Sequence, residues 1–529
     1  MSRRGPSGSA WAPLRSPIFR AIWLASVASN LGGAMHDAAG GWMMTTLTPE
    51  PLLVALMQTA SSLPLFVLAF PSGALADVVD RRRLLLLSQT WMMLVAAALG
   101  TLTLLGFTTP WVLLGFTAAL GVGAAMNAPA WQAILPELVP RSELPPAVAL
   151  GGVSFNVARA LGPAIGGLLV AASGPGPVFL LNAVSFLGVV AVLLRWRRTP
   201  IVSTMPPEDV LGAMRAGARY VRHHLPLRTV LVRSAMFVAF ASAVWSLLPL
   251  VARRSLGLGA VGYGLLLGCL GVGAVTGAWF LPWVRQRMAV DRVMAIATLA
   301  FAAATAVVAL VTEPLIAGAA LVVAGMAWMA NMSSINTAAQ TSVSTWVRAR
   351  ALAVSLLVIQ GGMALGALTW GTVANDTSIR AALLTSSVGL VLGLLVASRF
   401  RLSTHEGLDH TLAPPMPDPE LAGDQDPDGP VLVTVEYVVD PARANDFLDA
   451  MRGLGRVRRR DGAELWGVFR DAADPSRFVE TFTVGSWIEH LRQHGRMTVS
   501  DRALQTVVRG FHTGDEPPVV THLLAARAR

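Results

Sequence analysis

Two adjacent titratable residues, His36 and Asp37, lie inside a long apolar run near the start of the chain. A carboxyl group removed from water keeps its proton to a higher pH, whereas a nearby arginine favours the charged form. Asp37 is therefore the leading candidate proton-coupling residue. His36 is a second candidate and otherwise a polar lining residue, since nothing nearby completes a set of metal ligands. The alternative is that Asp37 only caps a local turn between the glycine pairs at 32–33 and 40–41.

A third charged residue, Arg159, lies near the middle of another apolar run, at residues 144–172. Charges inside a membrane are costly, and such residues usually face a cavity or a partner. If Arg159 comes within reach of Asp37, loss of the Asp37 proton would create an ion pair, and protonation would break it. The alternative is a structural arginine that binds the carbonyl groups of a neighbouring helix.

The elements that carry these residues are long apolar segments. Hydrophobic residues make up 54% of the 529 residues and charged residues only 14%, against about 25% in an average soluble domain. Runs of about 20 apolar residues can cross a bilayer as helices. We predict an all-α membrane protein with twelve transmembrane helices at residues 18–47, 52–75, 84–107, 111–135, 144–172, 178–194, 229–251, 263–284, 293–311, 315–343, 351–374 and 379–400.

The predicted segments define the domain organisation. A six-helix bundle occupies residues 1–195, a connector 196–228, a second six-helix bundle 229–401, a linker rich in Pro and Asp 402–430, and a small α+β domain 431–529. Two six-helix halves joined by a long connector are typical of transporters, whose substrates bind between the halves near the midplane.

The distribution of arginines predicts the orientation. The net charge is +10 and all basic side chains are arginines, but they cluster between apolar runs, which excludes a nucleic-acid surface and fits cytoplasmic loops of a cell-membrane protein. Both termini are then cytoplasmic. Arg253 and Arg254 are the exception, in a turn predicted on the outer side.

One of these clusters carries a motif. The segment 73–83 reads Gly-Ala-Leu-Ala-Asp-Val-Val-Asp-Arg-Arg-Arg and resembles the Gly-x-Leu-Ala-Asp-x-x-Gly-Arg-Arg loop of the major facilitator superfamily, departing from it at Asp80. The resemblance implies a conformational latch, in which Asp77 engages a helix terminus and an arginine of the opposite half. The implied latch residues are Gly73, Asp77, Arg81, Arg82, Arg348 and Arg350.

A second motif lies in the fifth run. Gly162, Pro163, Gly166 and Gly167 resemble the antiporter motif of superfamily exporters, with Ala158 in place of its first glycine. Together with Asn-Ala-Pro-Ala at 127–130 and Leu-Pro-Glu-Leu-Val-Pro at 135–140, they resemble the branch that contains the enterobactin exporter and the transmembrane secretion effectors. The resemblance implies proton-coupled export of a small organic molecule, such as a siderophore or a drug.

Scattered amides and tryptophans could line a cavity for an amphiphilic organic substrate, or could only link helices by hydrogen bonds. These cavity candidates are Asn30, Gln58, Asn127, Trp131, Asn156, Trp245, Asn336, Gln340 and Gln360.

The tail has a different pattern from the rest of the chain. Its predicted order β-α-β-β-α-β is ferredoxin-like and resembles dimeric α/β-barrel domains, which implies dimerisation through the tail. His490, His494, His512 and His522 lack metal- or haem-binding spacing, so we expect no cofactor and no enzyme activity. The alternatives are a membrane-tethered enzyme whose tail is catalytic, and a membrane sensor whose tail signals.

Overall fold

The computed structural model describes residues 11–196, 219–344, 347–402, 411, 413 and 429–525. Twelve long helices lie in this part of the chain before the tail. They are α1 Pro17–Leu47, α2 Pro51–Val78, α3 Arg81–Leu104, α4 Pro110–Leu138, α5 Leu144–Ser173, α6 Pro175–Arg195, α7 Leu225–Leu250, α8 Ala260–Arg285, α9 Val290–Leu310, α10 Pro314–Thr341, α11 Arg348–Asp376 and α12 Ile379–Ala397.

Local sequence signals set the starts of these helices. Proline stands at the first position of α1, α2, α4, α6 and α10, where its missing N–H has no partner in the helix in any case. Polar caps occur at other starts: the Asp80 carboxylate accepts a hydrogen bond from the Arg83 backbone N–H at 2.9 Å. The turn between α5 and α6 is a single glycine, Gly174, with a φ of +81°, a conformation that glycine adopts without strain.

Eleven of the described helices, α2 to α12, are long and apolar enough to cross a membrane. The first helix, α1, is 31 residues long but does not reach that hydropathy. Its sequence explains this, because Asn30, His36 and Asp37 interrupt the apolar residues.

We refer to α1–α6 as the first half and to α7–α12 as the second half. In the first half α1 packs against α5 and α6, α3 against α4 and α6, and α2 against α4; in the second, α9 packs against α12. Within each half, short turns separate successive helices. We call the end where α6 meets the connector the connector end, and the end where α1 meets α2 the distal end.

The backbones of α5 and α8 are in direct contact across the two halves. A Cβ atom on Gly167 would lie 2.5 Å from the Ala260 carbonyl oxygen, and one on Gly264 would lie 2.4 Å from the Pro163 carbonyl oxygen. Both distances are shorter than real Cβ contacts, so these positions need glycine. Close approach through small residues is how helices associate in lipid, where the hydrophobic effect gives no drive for association.

The described chain divides into two compact units. The first comprises residues up to Pro207, Val232–Ile335 and Ser355–Phe400, and the second Glu208–Leu231, Asn336–Val354 and Arg401–Arg529. The second unit thus joins the tail with the end of the connector and with the segment around the α10–α11 turn.

The tail holds one four-stranded antiparallel sheet. Its elements are β1 Val431–Val438, α13 Ala444–Asp461, β2 Leu465–Arg470, β3 Arg477–Val484, α14 Trp487–Arg496, α15 Val499–Arg509 and β4 Val519–Leu524. The strand order is β2-β3-β1-β4, and alternate residues of β1 and β3 are buried. That alternation indicates that helices cover one face of the sheet and leave the other uncovered.

Within the second unit, two connector residues contact the tail. The Arg219 guanidinium lies 3.5 Å from a Glu489 carboxylate oxygen, and the Arg460 guanidinium lies 5.6 Å from the centre of the Tyr220 ring. Arg460 is held by two buried carboxylates, with 2.7 Å contacts to both Asp461 and Asp501. The connector therefore ends on an ordered surface of the tail.

Three histidines of the tail lie together. The ring of His490 is 4.9 Å from that of His494 and 4.8 Å from that of His522, and His490 is only 2% exposed. Burial, together with the charges of His494, His522 and Arg458, lowers the pKa of His490 to about 4. His490 is therefore neutral in the folded tail at physiological pH.

This burial predicts that the tail loses stability in acid. Between pH 6.5 and pH 4 the unfolded chain binds a proton at His490 and the folded chain does not, so the free energy of unfolding falls, by up to about 3 kcal/mol. We expect proteolysis of the tail in the full-length protein to accelerate across that range. His490→Leu should flatten the dependence, and an unchanged slope in this variant would contradict the assignment.

Candidate functional site

The distal end of the bundle is closed by arginines that bind carbonyl groups. Arg253 donates a hydrogen bond to the Thr45 carbonyl oxygen, and Arg254 donates one to the Pro49 carbonyl oxygen. Both acceptors lie at or just beyond the C-terminal end of α1, where unpaired carbonyls favour cations. These contacts link the two halves, which explains why two arginines occur at the arginine-poor end.

Aromatic packing supports the same closure. Tyr263 on α8 stacks on Trp42 of α1, with ring centres 6.0 Å apart, and a Cβ atom on Gly41 would lie 2.9 Å from the Tyr263 hydroxyl. On the other side of the bundle, the Thr59 hydroxyl of α2 donates to the Ala364 carbonyl of α11 at 2.9 Å. The halves thus meet along both α1–α8 and α2–α11.

Asp37 lies one helical turn from Gly41 on the same face of α1, toward the connector end. Its side chain is exposed in the bundle, whereas the neighbouring His36 is buried. The His36 ring lies 4.5 Å from the ring of Phe179 on α6, inside the first half. The two residues of this pair therefore face different surroundings, and Asp37 is the one available to solvent.

Arg159 reaches from the first half to the second. Its guanidinium carbon lies 4.5 Å from the centre of the Trp245 ring on α7, a cation–π contact. Two predicted site residues, Arg159 and Trp245, are thus brought together.

The structure does not bring Arg159 and Asp37 into an ion pair; none joins them among the described residues. The alignment of α1 and α5 explains this, because a Cβ on Gly162 would touch Ala34. Asp37 lies three residues beyond that point toward the distal end and Arg159 three residues before it, an offset of about 9 Å at 1.5 Å per residue.

The four residues of the predicted export motif all lie at helix contacts. Gly162 and Gly166 face α1, where Cβ atoms would come within 2.5 Å of Ala34 and 2.9 Å of Met35. Gly167 and the Pro163 carbonyl face α8. Despite Pro163, α5 continues from Leu144 to Ser173. The motif therefore makes α5 a helix that two neighbours approach closely.

Two of the predicted latch arginines, Arg81 and Arg82, bind partners within the first half. Arg81 pairs with Glu137 on α4 at 2.9 Å, and Arg82 donates to the carbonyl groups of Leu193 and Leu194 at the end of α6, both at 2.7 Å. Gly73 and Asp77 lie on α2, but the side chain of Asp77 is outside the part that the structure describes. Arg348 is exposed at the start of α11, and the side chain of Arg350 is likewise outside the described part.

The second half repeats this arrangement at the connector end. Arg233 pairs with Asp291 at the start of α9 and donates to the Phe400 carbonyl oxygen at 3.2 Å, just beyond α12. Arg285 donates to the Ser334 hydroxyl of α10 at 3.0 Å. Each half thus ties its own helices together at the connector end with arginines.

Most of the predicted cavity amides make hydrogen bonds. Asn30 donates to Ser154 at 3.0 Å, and Asn127 accepts from Gln89 at 3.0 Å; both pairs link neighbouring helices. The others bond within their own helix: Gln58 to Ser62, Asn156 to the Gly152 carbonyl, and Gln340 to Asn336. Trp131 packs on an apolar cluster of the first half, and Gln360 is half-buried on α11.

Sequence reasoning missed the partners on α8, above all Tyr263 and Gly264, and the ion pair of Arg233. The sequence carried a signal for this ion pair. Arg233 lies near the start of the seventh apolar run and Asp291 just before the ninth, so both are expected at the same end of the bundle. Within the described residues, no group of three or more His, Cys, Asp or Glu side chains is arranged to hold a metal ion.

The chain is similar to known membrane transporters in sequence. The family model for transmembrane secretion effectors matches residues 8–529. The staphyloferrin A transporter of Staphylococcus aureus is 26% identical over 48% of this chain and 64% of its own length. The enterobactin exporter EntS of Salmonella typhimurium is 29% identical over 50% and 63%. The chain thus spans just under two thirds of these two relatives.

A third relative is matched over nearly its whole length. The multidrug efflux pump Tap of Mycolicibacterium fortuitum is 26% identical over 72% of this chain and 95% of its own.

Solved structures confirm the transporter fold. A bacterial homolog of the human lysosomal transporter Spinster, in an inward-facing and unoccupied conformation, superposes with a TM-score of 0.59, at 16% identity over 74% of this chain and 98% of that one. The nucleoside transporter NupG gives a TM-score of 0.56 at 13% identity over 72% and 98%. With the family match over nearly the whole sequence, the chain belongs to the transmembrane secretion effector family of the major facilitator superfamily.

Proposed function

We propose that this transporter is a proton-coupled exporter of small organic molecules, such as siderophores or drugs. The observation that carries the proposal is the solvent-accessible Asp37, which lies between the halves one turn from the closed distal end. An acid placed there can exchange its proton with one side of the membrane at a time, as the halves open at alternate ends. The named relatives, which include an enterobactin exporter and an efflux pump, support export as the direction.

The orientation follows from the arginines. The connector end carries Arg81, Arg82, Arg233 and Arg285 in structural contacts, and further arginines in its turns. By the positive-inside rule the connector end is cytoplasmic, so both termini and the tail lie inside the cell. We propose that α1 also crosses the membrane, as the twelfth span, with its polar residues facing the interior of the bundle.

The tail is proposed to be a ferredoxin-like module that dimerises through its uncovered sheet face. The strand order β2-β3-β1-β4 matches that fold. Strand pairing places Leu465, Phe469 and Leu523 on the uncovered face together with Leu432 and Val479; Leu465, Phe469 and Leu523 are at least half exposed. This face is mixed, because it also carries Thr434, Thr481, Thr483 and the Glu436–Arg477 ion pair; we propose that its exposed apolar side chains pack against a second copy of the chain.

Exchanging Asp37 for Asn tests the proton coupling. The amide keeps the size of the side chain but cannot release a proton, so pH-driven export should fall to background while the protein remains folded in the membrane. Export is measured as the compounds that disappear from culture supernatants when the gene is removed. Asp376→Asn, at the exposed C-terminal end of α11, should export normally, and full export by Asp37→Asn would remove Asp37 from the mechanism.

A charge on the uncovered sheet face tests the dimer. Phe469→Glu should raise the dissociation constant of the full-length protein about tenfold or more, because a buried unpaired charge is costly at an interface. Mass measurements in detergent report the change. Ala473→Glu, in an exposed turn beside the sheet, should leave the dimer intact; a monomeric wild-type protein would contradict the proposal.

A further inference from the structure

We infer that the cargo carries an anionic group, a carboxylate or an equivalent acid, and that Arg159 and Trp245 bind it. This inference rests on the proposed export function and specifies the chemical class of the substrate. It starts from a comparison of the arginines that lie within or at the ends of the twelve helices.

Four of these arginines bind acids or carbonyl groups of the protein. Arg81 binds Glu137, Arg82 binds two carbonyl oxygens, Arg233 binds Asp291 and a carbonyl, and Arg253 binds the Thr45 carbonyl. Arg159 has only the face of the Trp245 ring, and no hydrogen bond or ion pair to it appears among the described residues. A guanidinium has five N–H donors, so Arg159 retains its capacity to bind an anion.

The indole N–H of Trp245 likewise lacks a hydrogen-bond acceptor among the described residues. The indole N–H groups of Trp23 and Trp370 donate to the carbonyls of Leu150 and Ala239, at 2.9 and 2.8 Å. The Nε1 atom of Trp245 is buried and has no acceptor within the described part of the chain. Buried donors are normally satisfied, and an exception calls for an explanation such as a functional role.

The two unsatisfied donor groups belong to side chains in direct contact. The guanidinium carbon of Arg159 lies 4.5 Å from the centre of the Trp245 ring. A carboxylate has two oxygens that accept several hydrogen bonds, and it pairs with arginine in a bidentate geometry. One acid group of a ligand could therefore accept from the Arg159 guanidinium and the Trp245 indole. A neutral or cationic ligand would leave the arginine charge uncompensated.

The surroundings suit an organic body attached to that acid. Trp245 packs edge-on against Trp328, with ring centres 5.4 Å apart, and Trp328 lies against Phe237 and Phe301. Phe237 and Phe301 are buried in the core, so the partly buried Trp245 is the ring of this group that a ligand could meet. Asp37 does not neutralise Arg159, since no ion pair joins them among the described residues, so a positive charge remains available between the halves.

Two dyes with the same xanthene core and opposite charge test the inference. Cells that produce the protein should export carboxyfluorescein, an anion, in preference to rhodamine 6G, a cation. Arg159→Gln removes the charge and keeps much of the side chain's length, and should lower carboxyfluorescein export roughly tenfold or more. Arg159→Lys should retain part of it. Trp245→Phe keeps the ring and removes the N–H, so it should raise KM for the anion with a smaller change in kcat.

The controls separate binding from general damage. Arg380→Gln, at an exposed position beside the distal turn, should export carboxyfluorescein at the wild-type rate. Rhodamine 6G export by Arg159→Gln should be equal to that of wild type or higher, because a repelling charge is gone. Equal loss of both dyes, or an unchanged anion rate, would overturn the inference and leave a structural role for Arg159.

The supernatant comparison provides a second readout that does not depend on dyes. Compounds whose release requires the gene should bind an anion-exchange resin at neutral pH and should be absent from cells carrying Arg159→Gln. Gene-dependent compounds without an ionised acid group would overturn the inference while supporting export. If neither dyes nor compounds depend on the gene, export itself fails.

Discussion

The architecture depends on the contact between the backbones of α5 and α8. At Gly167 and Gly264 the opposing carbonyl oxygens occupy the space that a side chain would need. In a bilayer, moving an apolar side chain from lipid into a helix contact gains little free energy. Helices therefore associate through close packing of small residues and a few polar contacts. The glycine backbones let α5 and α8 approach closely, and a buried apolar cluster that includes Met35 and Val170 of the first half and Val244 and Leu266 of the second surrounds this contact.

Polar contacts differ between the two ends of the bundle. At the connector end, the arginine contacts described here run within each half, from Arg81 to Glu137 in the first and from Arg233 to Asp291 in the second. At the distal end, Arg253 and Arg254 bind carbonyls of the other half. Each half is therefore tied internally at one end, and the halves are tied to each other at the opposite end. This combination suits rigid bundles that rock against each other.

Periodicity and composition predicted the helices well. The structure begins or ends most of them within a few residues of the predicted limits, because apolar length and turn residues are local properties. The tail has its four strands in the predicted order, with a second helix, α15, before β4. The count of spans is less direct: α1 was predicted as a span, but its Asn30, His36 and Asp37 hold its hydropathy below that of the other eleven.

The site was predictable as a set of residues but not as a set of contacts. Arg159, Trp245 and Asp37 were all recognisable as polar groups in apolar runs. Which of them meet depends on how α5 aligns with its neighbours, and the close contacts of Gly162 with Ala34 on α1 and of Gly271 on α8 with Ala160 set that alignment. Similarly, Arg253 and Arg254 contradicted a charge rule until their carbonyl partners at the end of α1 were known. Long-range register of this kind has no signature in a single sequence.

A reversible cross-link between α5 and α8 tests most directly whether the halves must separate there. A Cβ atom on Gly268 would lie 3.8 Å from the Cβ of Ala164, a distance suited to a disulfide. The chain has a single cysteine, Cys269, so Ala164→Cys with Gly268→Cys in a Cys269→Ser background isolates the new bond. Oxidation should stop export and a reductant should restore it, with single-cysteine variants unaffected. Full export by the cross-linked protein would contradict the account.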